Sequence, residues 1–197
     1  MKGKELIARQ IGEVVSQVMS DHAIEKLAAI LVYMEVEKNE LLLKEGEKSH
    51  WIYYIKSGLI RQFYYKNGRE LTENFAYEGN IFINADSFFH QKPSRTVIEA
   101  LEPVILYAIP YDSLMNLIQE CREISLMYCR MVEETLIGLQ RKVNAFRFET
   151  ANERYLHLLK KHPGIIQRAP LVHIASYLLM SPETLSRVRA GLLNENT

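Results

Sequence analysis

The sequence predicts an α+β protein: a β-rich sandwich or barrel flanked by helices, followed by a wholly helical end. Three observations carry that prediction. Residues 5–34 repeat apolar side chains at helical spacing, residues 36–110 change to short aromatic and β-branched runs cut by turn signals, and after Pro110 the helical spacing returns. Composition agrees with a folded chain. Of 197 residues, 48% are hydrophobic, and 24 Lys and Arg balance 24 Asp and Glu. Nine Gly and six Pro are too few for a fibrous or disordered polymer. The longest apolar run, Ala28 to Met34, is far below the roughly 20 residues that span a bilayer. The opening Met1-Lys2-Gly3-Lys4-Glu5 leads into mixed polar sequence rather than a secretory core, which predicts a cytoplasmic protein with no membrane partner.

The first helical stretch places Ile7, Ile11, Val14, Val15 and Val18, then Ile24, Leu27, Ile30 and Leu31, at spacings of three and four, with Ser20 or Asp21 available as a cap for the second segment. In the β-rich stretch the turn signals are Glu45-Gly46, Ser57-Gly58, Asn67-Gly68, Glu78-Gly79, Lys92-Pro93 and Glu102-Pro103. Leu59–Tyr65 and Glu70–Phe75, joined through Asn67-Gly68, make the clearest hairpin, because Asn-Gly tolerates the positive φ of a tight turn. A new helical pattern starts at Tyr111 and is interrupted near Cys121. Beyond it Tyr128, Val132, Leu136, Leu139, Val143 and Phe146 trace one stripe along a helix of roughly 25 residues, about 37 Å long. A stripe that long outruns a small barrel, so it is predicted to pair with the same helix of a second chain, with Gly138 allowing close approach. The two cysteines, Cys121 and Cys129, are too few for a disulfide framework and are read as reduced thiols in a helical region.

The last third carries the functional signal. From Thr150 onward six basic residues face three acids, a charge of +3 on a body of −3, the sense expected of a nucleic-acid surface. Leu171–Leu178 reads as a short helix, three turn residues follow, and Ser181 then caps a second helix with Pro182 at its first position. Leu185, Val188 and Leu192 face inward, leaving Glu183, Ser186, Arg187 and Ala190 outward. Two short helices crossing over small Ala175 make a helix-turn-helix, whose second helix enters the DNA major groove. Arg187 can donate twice to guanine, Glu183 can accept from cytosine, and Ser181, Thr184 and Ser186 offer hydroxyls to phosphates or bases. The plainer reading makes Glu183 and Arg187 an i,i+4 surface pair.

This order of parts resembles the Crp/Fnr family of bacterial transcription regulators over most of the chain. The likeness rests on Glu45-Gly46, Tyr53-Tyr54-Ile55-Lys56-Ser57-Gly58, Arg95-Thr96, His173-Ile174-Ala175-Ser176-Tyr177 and Ser181 through Arg187. It implies a cyclic-nucleotide-binding-type jelly roll in residues 1–120, a dimerisation helix over 121–148 and a helix-turn-helix domain over 149–197 with no evident wing. It also implies a homodimer on a palindromic operator, with RNA polymerase as a further partner. In the family pattern Glu183 and Arg187 match base-contacting positions, while Pro182 stands where an arginine is common.

Departures matter as much. Members that bind cyclic AMP carry a Gly-Glu pair whose glutamate accepts from the ribose hydroxyl, and here Ile83-Asn84 occupies that place. Arg95 and Thr96, which match the phosphate-binding pair, remain. With Asn84 they form the candidate effector pocket, but a standard cyclic AMP pose is not expected, and Arg95 is read as a structural ion-pair partner. An iron–sulfur cluster needs four cysteines, and this chain has two. His50 and His90 stand alone in the β-rich stretch, which argues against a haem pair or a cupin-like metal enzyme, so no catalytic or metal residue is assigned and the effector stays unidentified. Leu179 sits where such turns usually carry glycine, a left-handed position that costs leucine about 1–2 kcal/mol. The alternative function is a ligand-binding regulatory subunit whose helix-turn-helix touches protein instead of DNA.

Overall fold

The computed structural model describes residues 2–195. Two N-terminal helices, α1 (Lys2–Val14) and α2 (Asp21–Ile30), lead into the β-roll. Ser20 caps α2, its hydroxyl accepting from the Ala23 amide at 3.3 Å. The helical expectation for residues 5–34 fails at its end: Val32–Val36 is strand β1, paired with Ala108 through Val104 on β8 (Val104–Pro110). Apolar spacing alone cannot separate a buried helix turn from a strand there, and the edge-pairing of Val32-Tyr33-Met34 decides it.

The remaining strands are β2 (Leu41–Leu43), β3 (Trp51–Ser57), β4 (Ile60–Lys66), β5 (Arg69–Ala76), β6 (Ile81–Ile83) and β7 (Val97–Ala100). They form two four-stranded antiparallel sheets, β1-β8-β3-β6 and β2-β7-β4-β5. Between them lies a core that includes Tyr53, Ile55, Ile60, Phe82, Ile98 and Leu106. The β4–β5 hairpin turns through Asn67 and Gly68 with φ of 52° and 72°, and Lys66 pairs Arg69 across it. Those two positive φ values are what a two-residue hairpin loop demands, so the Asn-Gly signal sets this register. Gly58 enters β4 at φ 98°, and a Cβ there would lie 2.6 Å from the Pro103 carbonyl, so no side chain fits. Between β6 and β7 the short helix α3 (Ala85–His90) is capped by Asn84.

After β8 come α4 (Tyr111–Glu120) and the 27-residue α5 (Arg122–Phe148). Cys121 has extended backbone at the break between them, so it does not share a helix with Cys129; both are free thiols. Ile124, Met127 and Met131 of α5 are buried with α1, α2 and α4, and beyond Met131 no residue of α5 is buried among the described residues. From there the helix runs along the outside of the roll, where Lys142 reaches the Glu73 carbonyl. Thr150 and Glu153 form a reciprocal capping box that starts α6 (Ala151–Lys161), followed by α7 (Pro163–Arg168), α8 (Leu171–Tyr177) and α9 (Pro182–Glu195). These four helices close over Tyr155, Leu158, Ile174, Ala175, Leu185 and Val188, and the same cluster takes in Leu59, Phe75 and Leu101 from the roll.

Candidate nucleic-acid interface and effector cavity

The C-terminal signal folds as a helix-turn-helix. Ala175 of α8 is fully buried against α9, whose Leu185 and Val188 face inward, while the side chain of Leu192 lies outside the described residues. The Ser181 hydroxyl accepts from the Thr184 amide at 3.2 Å and Pro182 takes the first helical position, as their chemistry dictates. Glu183, Ser186, Arg187 and Arg189 are exposed on one face of α9, with Thr184 half-buried beside them. The Glu183 carboxyl is held below its usual range, first by the Ser181 hydroxyl, then by the helix N-terminus and by Arg187 and Arg69. Arg187 reaches Thr184 Oγ1 at 3.4 Å and forms no ion pair with Glu183, so the simple surface pair is not closed and both groups keep donors and acceptors to offer. Leu179, in the turn, has φ 53°, the left-handed conformation that its glycine-like position foretold.

The unit is docked on the sheet by groups that sequence reasoning missed. Arg61 on β4, only 2% exposed, pairs with Glu70 and Glu99, and its Nη1 donates to His173 Nδ1 of α8 at 2.7 Å. A guanidinium can only donate, so the neutral imidazole carries its proton on Nε2. Burial, and then the Arg61 charge, lower the His173 pKa to about 4, while Glu70 opposes. The Thr72 amide donates to Ser176 Oγ at 3.0 Å, and Phe75 meets Tyr177 edge-on at 5.2 Å between ring centroids. Arg168 of α7 bridges Glu78 and Glu102 of the roll. Nothing local in the sequence marks these pairs, because Arg61 and His173 are 112 residues apart. Only the strand register, which sets Arg61 opposite Glu99, shows where the arginine points.

A cavity of about 600 Å³ brings the three effector-pocket residues together with part of the α5 stripe. Asn84, Arg95 and Thr96 line it from the roll, and Leu139, Val143 and Phe146 line it from α5. Asn84 is buried and occupied: its Oδ1 accepts from the Ser87 amide at 3.2 Å, and its Nδ2 donates to Ser94 Oγ at 2.9 Å and Thr96 Oγ1 at 2.7 Å. Its amide oxygen therefore caps α3 instead of accepting from a ligand. Arg95 corrects the ion-pair expectation, since it is exposed at the cavity and pairs with no carboxylate among the described residues. Asp86, on the same lining, is held instead by Lys92 at 2.8 Å. Lys142 of α5 also lines this cavity, donating to the Glu73 carbonyl and lying 4.9 Å from the Tyr177 ring centroid, and burial lowers its pKa.

The rest of the stripe divides. Tyr128 packs on the N-terminal helices, whereas Val132, Leu136, Leu139 and Val143 are exposed, Leu136 at 66% and Leu139 at 52%. Leu126, Ile137 and Phe148 add exposed apolar surface outside the stripe. Among the described residues no group of three or more His, Cys, Asp or Glu is placed to hold a metal ion, and no helix is long and apolar enough to cross a membrane.

Comparisons with known proteins agree with this architecture. Residues 33–121 match the cyclic nucleotide-binding domain. Over 183 residues the chain is 25% identical to the regulatory protein HlyX of Actinobacillus pleuropneumoniae, an alignment covering 86% of this chain and 75% of that one. The structure of FixK2 from Bradyrhizobium japonicum superposes with a TM-score of 0.71 at 18% identity, covering 85% of this chain and 86% of that one. The c-di-GMP responsive global regulator CLP of Xanthomonas campestris gives a TM-score of 0.68 at 20% identity, over 90% of this chain and 93% of that one. At such identities the two structures show a shared fold.

Proposed function

We infer that this chain is a DNA-binding transcription regulator of the Crp/Fnr type, acting as a homodimer that reads a palindromic operator, a reading supported by its cyclic nucleotide-binding domain match and its likeness to HlyX. The observation that carries this reading is α9, a Ser181-capped helix with a buried Leu185–Val188 edge and an exposed row of Glu183, Ser186 and Arg187. Arg187 reads guanine, Glu183 reads cytosine, and Ser181, Thr184 and Ser186 contact phosphates or further bases.

The outer side of α5 supports the dimer, because Val132, Leu136, Leu139 and Val143 leave apolar surface exposed at coiled-coil spacing. Two-fold pairing sets recognition helices about 34 Å apart and half-sites about 10 base pairs apart. On this reading residues 1–120 sense, 121–148 dimerise and 149–197 bind DNA. The chain works in the cytoplasm by binding rather than catalysis, with RNA polymerase as its partner at the promoter. The cavity at Asn84, Arg95 and Thr96 takes an effector other than cyclic AMP, since Asn84 is committed within the fold.

Selection of bound duplexes from a random pool, with the mass in solution measured alongside, tests the whole reading. A two-fold symmetric consensus and a mass of two chains are expected. A monomer that enriches no sequence would overturn it.

A further inference from the structure

We propose that the turn of the helix-turn-helix is itself a wall of the effector cavity, so that a bound monoanion with an apolar body touches Tyr177 and Leu179 directly. The proposal rests on the effector-cavity reading above and specifies how that cavity is closed and what it holds.

Leu179 combines a backbone that the turn sets with an exposed side chain that the folded chain does not otherwise explain. Its backbone is left-handed at φ 53°, a strain that glycine would not bear, and its side chain is 58% exposed, so burial does not offset the strain. That exposure makes sense at the place where it sits, on the cavity lining with Tyr177 beside it and Val143 and Phe146 of α5 also on the wall. An exposed leucine at a ligand cavity becomes covered when the cavity is filled, and its burial then offsets the strain of the turn.

Charge selects the class of ligand. Of the carboxylates at the cavity, Asp86 is held by Lys92 and His90, and Glu73 is exposed, while its main-chain carbonyl takes the Lys142 ammonium. Arg95 has no carboxylate partner among the described residues. A carboxylate, sulfonate or phosphodiester monoanion satisfies that guanidinium, and the leucines, Val143 and Phe146 receive a hydrocarbon or aryl body.

The wall exists only while the unit is docked. Docking is held by Arg61 with His173 and by the Thr72 amide with Ser176, and His173 does not line the cavity. Ligand affinity and the position of the DNA-reading helix are therefore linked through direct contact, and a change in one shifts the other by the same factor.

The test titrates the full chain with the fluorescent anion anilinonaphthalene sulfonate and with uncharged phenylnaphthylamine, following circular dichroism and melting in every variant. Leu179→Gly is expected to keep the fold and weaken the sulfonate about three- to tenfold, with Leu179→Met restoring it. His173→Ala is expected to weaken the sulfonate as well, although His173 is remote from the lining, and Arg95→Gln should erase the preference for the charged dye. If Arg95→Gln weakens binding while folded Leu179→Gly and His173→Ala bind as the parent does, the cavity stands and the proposed wall falls. If Arg95→Gln changes nothing, the effector-cavity reading itself fails.

Discussion

The β-roll and the helix-turn-helix unit bury their apolar residues in different ways. The roll closes on itself: Ile55, Ile60, Ile98 and Leu106 are fully buried between its own two sheets. The C-terminal unit does not, because its cluster is completed by Leu59, Phe75 and Leu101 from the roll. A small helical unit of this size buries too little surface to be stable alone, so it borrows a wall from its neighbour. Borrowing makes its position part of its stability. Whatever loosens the contact moves α9, while changes deep in the roll act on the whole chain.

Core truncations offer the largest break in that comparison. Leu106→Ala should cost about 2–5 kcal/mol and lower a single cooperative unfolding transition measured by calorimetry. Leu59→Ala should cost a similar amount yet split the transition, the helical unit melting first. A single sharp transition in the Leu59 variant would mean that the two units are not separately held. Next in size is Arg187→Ala, expected to leave melting unchanged because the side chain is exposed, while costing about 1–3 kcal/mol at one operator base pair. Equal weakening on every duplex, read by competition binding, would reduce Arg187 to a phosphate contact.

Leu179→Gly should raise the melting temperature, because relief of about 1–2 kcal/mol of left-handed strain exceeds most of the added chain entropy. An unchanged or lower value would count against strain in the turn. The smallest effect is a pH dependence at the docking contact. His173 is titrated at about 4 in the fold against 6.5 for the ordinary imidazole, so the unfolded chain binds more protons between those values. The contribution of the neutral imidazole is complete above about pH 6.5 and is lost as pH falls toward about 4. Hydrogen exchange on α8 should accelerate through that window in the parent, and the acceleration should be absent in His173→Gln.

Much of the local structure was legible because its causes are local. Asn67-Gly68 dictated a two-residue hairpin, Ser181-Pro182 dictated a helix start, Ser20 capped α2, and the interruption near Cys121 reappears as the break between α4 and α5. The site residues divide by the same criterion. The outward row of α9 follows from helical spacing around Leu185 and Val188. The Val32–Met34 strand did not follow, since its partner is a strand more than 70 residues later in the chain. The expectation that Arg95 serves an ion pair also failed, because whether a side chain finds a carboxylate depends on which loop faces it.

By itself, the order of residues determined the alternation of helix and strand, the tight turns, the caps and the chemical character of the exposed face of α9, because each depends on neighbours a few positions away. Only the folded chain decided that Arg61 would hold His173, that Asn84 would spend its amide on α3, Ser94 and Thr96, and that Leu179 would border the cavity. Contacts between distant segments depend on how whole layers are oriented and packed, and no short-range periodicity encodes that orientation.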